Sequence, residues 1–323
     1  MSRRIKYVDI CKGFGILLMI AGHIRGGDLQ AWIYSFHMPL FFIISGLTFS
    51  GENNKRSDLL YKYTRNMMWP YFTFSIITIL YRFILNLCYE SVVSLSVIRG
   101  DINSFLMMWG IGNLWFLPCM LISKLVFTYL VSYKSYMPFV VGACFMFISS
   151  FLYPNGNPQC SLDTVYLKSM IGVMFIGSGY LLKPTLVYLF KIGRRKQYAF
   201  SLFVFVIHMG LFLLSGKKIV DLNTITINNP FIYFLMALCG STFVISISII
   251  IRSCRCLEFI GINSLAYLVL NNINFPVVII RSLLSDFSVI AKDVVSFFSM
   301  IILETFFAYL VIKHCPGLLR IKR

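Results

Sequence analysis

Long apolar runs recur along this chain, and they decide the solvent in which it can fold. A helix crossing the hydrocarbon core of a bilayer needs about 20 mostly apolar residues. Ten runs of that order are present, at 6–24, 31–49, 67–88, 114–132, 137–153, 164–182, 198–215, 230–251, 261–280 and 289–312. In hydrocarbon each backbone N–H and C=O must find its partner within the protein, so such runs are helical. None alternates with the period of a barrel strand. The longest stretch between runs, near 89–113, is too short to bury a core of its own. The expected fold is therefore all-α, a polytopic membrane protein of about ten transmembrane helices in a single integral-membrane domain over 1–323. Composition agrees, with 58% hydrophobic and only 13% charged residues, against roughly a quarter charged in a soluble domain. The 16% aromatic content excludes a disordered chain.

The formal net charge is +17, from 29 Lys+Arg against 12 Asp+Glu. In so apolar a chain this excess points to membrane topology and lipid contact rather than to nucleic acid. Ten spans put both termini on one side. With that side cytoplasmic, 19 basic residues lie inside and 7 outside, while Lys12, Arg82 and Lys124 fall within spans. Positive loops stay cytoplasmic, so this orientation is expected, with Lys217 and Lys218 as the main exception. The start, Arg3-Arg4-Ile5-Lys6, resembles a signal peptide, but Asp9 and Lys12 interrupt the apolar run that follows, so an uncleaved first span is expected. The nine cysteines are scattered, with Cys160 alone clearly in an outer loop, which argues against a disulfide framework. Cys254 and Cys256 lack the spacing and the histidine of a zinc site, and no metal is expected. No phosphate-binding glycine loop, nucleophile elbow or HExxH motif is present.

An ionisable side chain at the centre of a span costs about 2.5–3.5 kcal/mol on insertion scales, so each one asks for a reason. The first span holds Asp9, Lys12 and His23. At 100° per residue all three project from one side of a helix, and Lys12 and His23 are separated by about 16 Å of rise. Gly13, Gly15 and Gly22 let a neighbour approach that helix closely. In the second span His37 lies at a depth similar to His23, and Pro39 deprives the Ser35 carbonyl of its usual partner. Two histidines beside an interrupted backbone read as a polar pocket. Lys124 and Glu304 lie at similar depth and are expected to pair. His208 is expected to pack, and Trp109 and Trp115 fit an aromatic belt.

Several stretches together resemble the integral-membrane acyltransferase 3 family, nearest its fucose 4-O-acetylase-like and O-antigen acetylase group. They are Tyr7-Val8-Asp9-Ile10-Cys11-Lys12-Gly13, Ala21-Gly22-His23, Phe36-His37-Met38-Pro39-Leu40-Phe41-Phe42, Lys62-Tyr63-Thr64-Arg65 before Trp69-Pro70-Tyr71, Leu114-Trp115-Phe116-Leu117-Pro118 and Phe259-Ile260-Gly261-Ile262-Asn263-Ser264. The family's mark, Arg or Lys, ten residues, then His, is matched by Lys12 and His23. One departure is Asn271, where the family often carries His. The resemblance implies an O-acyltransferase of the bacterial inner (plasma) membrane. It would take acyl-CoA, usually acetyl-CoA, from the cytoplasm and acylate a sugar hydroxyl of a surface or lipid-linked glycan such as O-antigen, capsule or exopolysaccharide. The rival reading is a multi-pass transporter or flippase for a lipid-linked glycan or small solute, which also suits many spans and buried charges.

For an acyl transfer, a neutral imidazole can take the proton of the attacking hydroxyl. His23 is the expected base. His37 would orient it, position the hydroxyl or donate to the developing oxyanion. Lys12 and Asp9 complete the expected catalytic face. Lys12, Lys62 and Arg65 are the expected contacts for the CoA phosphates, although Lys62 and Arg65 also suit ordinary topology signalling or anionic lipid. Arg82, Trp115 and Asn271 are the expected acceptor-binding residues, with snorkelling to the interface as the other reading of Arg82.

Overall fold

The computed structural model describes residues 5–50, 56–88, 94–157, 161–272 and 287–319. Arg3, Arg4, Lys55, Cys160, Arg281, Arg320, Lys322, Arg323 and residues 273–280 of the 261–280 run lie outside the described residues. The helices, in chain order, are α1 (Lys6–Ile24), α2 (Asp28–Tyr34), α3 (His37–Leu47), α4 (Arg56–Cys88), α5 (Leu95–Leu106), α6 (Phe116–Val131), α7 (Met137–Leu152), α8 (Leu162–Lys191), α9 (Arg194–Leu214), α10 (Pro230–Ile251), α11 (Arg255–Ile262), α12 (Ser264–Leu270) and α13 (Val289–His314). Among the described residues the fold is all-helical apart from one isolated bridge, Asp221 to Thr226.

Among the described residues seven helices are long and apolar enough to cross a membrane: α1, α4, α6 with the 3₁₀ turn that precedes it, α8, α9, α10 and α13. The other expected spans take different forms. The fifth run makes α7, which has 16 residues and is apolar but short. The second run breaks between α2 and α3. Pro39 falls in the first turn of α3, where a missing N–H is tolerated. The Phe36 carbonyl at the break still accepts from Leu40 N at 2.9 Å and from Ser241 Oγ at 3.4 Å. Of the ninth run, the described residues 261–272 hold the last two residues of α11 and all of α12. The stretch read as a plain loop near 89–113 contains α5, an amphipathic helix that buries Ile98 and Asp101 against α4.

Segment ends expected on the same side of the membrane do meet. Lys183 Nζ donates to the Phe49 carbonyl at 3.0 Å, and Trp69 Nε1 to the Gly317 carbonyl at 2.9 Å. At the other end Lys217 pairs with Asp28, and Arg25 with Asp293. Exposed large apolar side chains cover the flanks of α9 and α13, among them Leu202, Phe203, Leu214, Phe298, Ile302 and Phe306. Such a surface suits lipid and not water.

What places α1 at the centre is small residues. Gly13 faces the Leu257 backbone and Gly261 faces the Asp9 carbonyl, and a Cβ at either position would overlap the opposing helix. α1 and α11 therefore cross in backbone contact, the arrangement small residues permit between membrane helices. Gly15 and Gly22 meet side chains instead, Phe41 and Tyr34.

Candidate active site

Lys12, Ile16, Met19 and His23 follow one another at spacings of four, three and four residues, so they share one face of α1. Two cavities open along that face. Lys12, Ile16 and Met19 line the first, of about 320 Å³, together with Met38, Phe41, Asn66, Lys124 and Leu268. His23 lines the second, of about 160 Å³, with Tyr34, His37, Asn113, Trp115, Asp221 and Asn223. Met19, Met38 and Leu268 line both.

The backbone sets the chemistry of the two imidazoles. His23 Nδ1 lies 2.7 Å from the Met19 carbonyl oxygen, and His37 Nδ1 lies 3.1 Å from that of Ile33. A carbonyl can only accept, so in each neutral ring Nδ1 carries the proton and donates. Nε2 of each ring is left as the lone-pair nitrogen, which is the form a general base requires. His23 is open to its cavity, whereas His37 is buried.

Asn113 and Asp221 are the polar neighbours of His23. Behind Asn113 runs a chain of carboxamides. Asn113 Nδ2 donates to Asn271 Oδ1 at 2.8 Å, and Asn271 Nδ2 donates to Glu304 Oε1 at 2.7 Å. Asn272 Oδ1 accepts from Asn113 N at 3.0 Å. Gly112 makes this possible, because its φ of +52° suits glycine and a Cβ there would strike Asn272 Oδ1.

The other wall is the loop between α9 and α10. The Asp221 carboxylate accepts from Asn223 N at 2.9 Å and from Thr224 Oγ1 at 3.2 Å. Asn223 Oδ1 accepts from Lys168 Nζ at 3.0 Å. Lys168 is fully buried, with Nζ 4.0 Å from the Trp109 ring centre and 5.0 Å from that of Trp115. Aromatic faces stabilise a desolvated ammonium by about 2 kcal/mol or more, so the cage ties the loop to the cavity.

A family model described as an acyltransferase domain, of the acyltransferase 3 type, matches residues 5–313. The chain belongs to the acyltransferase 3 family. No curated protein and no solved structure matches it. With its apolar helices, this acyltransferase 3 member is a multi-pass membrane acyltransferase.

The acyltransferase places the remaining expected site residues as follows. Lys62 is exposed and Arg65 half-buried on the first turns of α4, and Asn66, next along, reaches the first cavity. Arg65 Nη1 donates to Tyr61 Oη at 3.5 Å. Asp9 is half-buried at the start of α1 and lines neither cavity. Arg82 also lines neither cavity, and its Nη1 donates to both carboxylate oxygens of Asp101 at 2.7 Å. Trp115 walls the second cavity, and Asn271 stands one carboxamide behind it.

Three expectations are corrected. Lys124 and Glu304 do not pair: Lys124 Nζ lies over the Tyr63 ring at 5.2 Å, and Glu304 holds Asn271. Trp109 and Trp115 are buried around a cation and do not belong to an interfacial belt. Lys168, one of the seven basic residues counted on the outer side, is buried within the protein and not solvated in a loop. His208 packs between Trp32 and Phe36, with Nδ1 against the Met236 carbonyl at 3.0 Å. Sequence reasoning missed Asn113, Asp221 and Asn223. The signal for Asn113 was its setting in Trp109-Gly110-Ile111-Gly112-Asn113, two glycines within a short aromatic-flanked turn.

Proposed function

We propose that the protein is an O-acyltransferase that carries an acyl group, in the first instance acetyl, from acyl-CoA on the cytoplasmic side to a sugar hydroxyl of a surface or lipid-linked glycan. The observation that carries the reading is the shared face of α1, with Lys12 in one cavity and His23, its Nδ1 held by the Met19 carbonyl, in the other. The Lys12 cavity is the donor side. Its mixture of two ammonium groups with methionine and aromatic walls suits the arm of a thioester. Lys62 and Arg65, on the turns of α4 that lead to Asn66, would meet the phosphates of the CoA head.

In the His23 cavity, Nε2 accepts the proton of the acceptor hydroxyl as its oxygen attacks the thioester carbonyl. A carbon–oxygen bond forms and the charge moves to the carbonyl oxygen. The positive N-terminal end of α3, which begins at His37 on the lining of this cavity, would offset that charge, while the His37 ring, its Nδ1 proton given to the Ile33 carbonyl, would position the hydroxyl through Nε2. The carbon–sulfur bond then breaks, and the thiolate of CoA takes the proton back from His23. The Met19 carbonyl holds the ring throughout, in the place another enzyme would give to a carboxylate. Asp221, Asn223 and Asn113 offer the donors and acceptors that a neutral sugar needs, beside the Tyr34 and Trp115 rings.

The test is His23→Ala in a host whose surface glycan is read by mass spectrometry. Acylation of the glycan should fall by about 10²–10⁴-fold, with the protein still inserted and monodisperse. Full acylation in the variant would remove His23 as the base. Movement of glycan or solute without any dependence on acyl-CoA would favour a transporter.

A further inference from the structure

Each residue that lines both cavities neighbours a residue of the site. Met19 lies one turn before His23 and supplies the carbonyl that holds its ring. Met38 follows His37, and Leu268 lies one turn before Asn271. Met19 and Leu268 are almost fully buried, at 2% and 7% exposure. They stand on α1, α3 and α12, three separate elements converging at one level. The second cavity, at about 160 Å³, has half the volume of the first and is well below the ~300 Å³ of an ordinary ligand site. An acceptor edge and an incoming acyl group must share that space.

We propose that Met19, Met38 and Leu268 form the acyl-selecting constriction of the transferase, the ring through which the acyl end of the donor passes from the Lys12 cavity to His23. Their side chains are apolar and match an acyl tail. Methionine, unbranched with three rotatable bonds, can swing aside without repacking its helix. Leu268 is the stiffer side and sets the bore. A short acyl group passes the ring, and each added methylene must displace a packed side chain. In a hydrophobic site one methylene is worth about 10–200-fold in rate, so chain length is sorted here and not at the CoA head. The inference rests on the transferase reading, and its test separates the two.

Membrane vesicles containing the protein and the host's own glycan acceptor are supplied with acetyl-, propionyl-, butyryl- or octanoyl-CoA, and released CoA is measured with a thiol reagent. Wild type should prefer acetyl to butyryl by about tenfold or more. Leu268→Ala, Met38→Ala and Met19→Ala, on three separate helices, should each raise the butyryl-to-acetyl ratio by about tenfold. Leu268→Phe should depress turnover with every donor, and most with the longest. An active wild type whose donor profile is unmoved in the monodisperse alanine variants would overturn the constriction alone. Absence of donor-dependent CoA release from wild type would overturn the transferase reading and the constriction with it.

Discussion

Asn271 donates to Glu304 and accepts from Asn113, so one carboxamide meets one oxygen of a buried acid on one side and orders the cavity wall on the other. An apolar residue there would leave both partners unpaired, at about 1–3 kcal/mol for each. Asn271→Leu should therefore lower the thermal midpoint in detergent and also reduce turnover, because Asn113 loses its anchor. A variant that melts as wild type does would show that the chain of carboxamides contributes little. Asp221 makes a different prediction. Burial raises its carboxyl above the ordinary range, with hydrogen bonds from Asn223 and Thr224 opposing. A carboxyl raised in the folded state weakens folding as pH climbs from its ordinary value, about 3.9, through the raised one. Asp221→Asn should melt at or above wild type at pH 7 and lose that advantage below about pH 4, while transfer to the glycan falls. A variant that melts lower at neutral pH would contradict this. Lys12, His23 and His37 were legible in the sequence because a charge or an imidazole inside an apolar run is costly and conspicuous. Asp221 and Asn223 were not, because a polar residue between helices looks solvated until the fold closes over it. Lys168 was hidden for the same reason, since the two tryptophans that accept it lie more than fifty residues away.

Among the elements, hydropathy read α1, α10 and α13 closely, because each apolar run is a single helix from end to end. It passed over the break before α3, where both flanks are apolar and Pro39 alone marks the change. It also missed α5, whose apolar face is only half of a short helix. The contact between α1 and α11 depends on glycines that face backbone on both sides. Gly261→Val should force the two helices apart, at about 1–3 kcal/mol or more for overpacking. Because α1 carries both Lys12 and His23, transfer should fall further than stability does. Equal turnover in a folded Gly261→Val protein would show that this crossing does not set the register of the site. α3 should behave differently, since its start is fixed by a proline and by side chains of α10.

For the whole molecule, the excess of basic residues on one set of loops predicts orientation. A reporter active only in the cytoplasm should work when fused at Gly193 and fail when fused at Gly216, which lie at opposite ends of α9. The reverse pattern would invert the protein and exchange donor and acceptor sides. Two cavities open along α1; Met19, Met38 and Leu268 line both, and the proposed constriction would lie where the two meet. Hydrophobic constrictions of this kind stop ion flow by shedding water. A membrane that stores energy as a proton gradient can therefore host this protein without being short-circuited. Paring that barrier back to alanine should raise its passive conductance, and cells making such a variant should grow poorly even where no glycan is being modified.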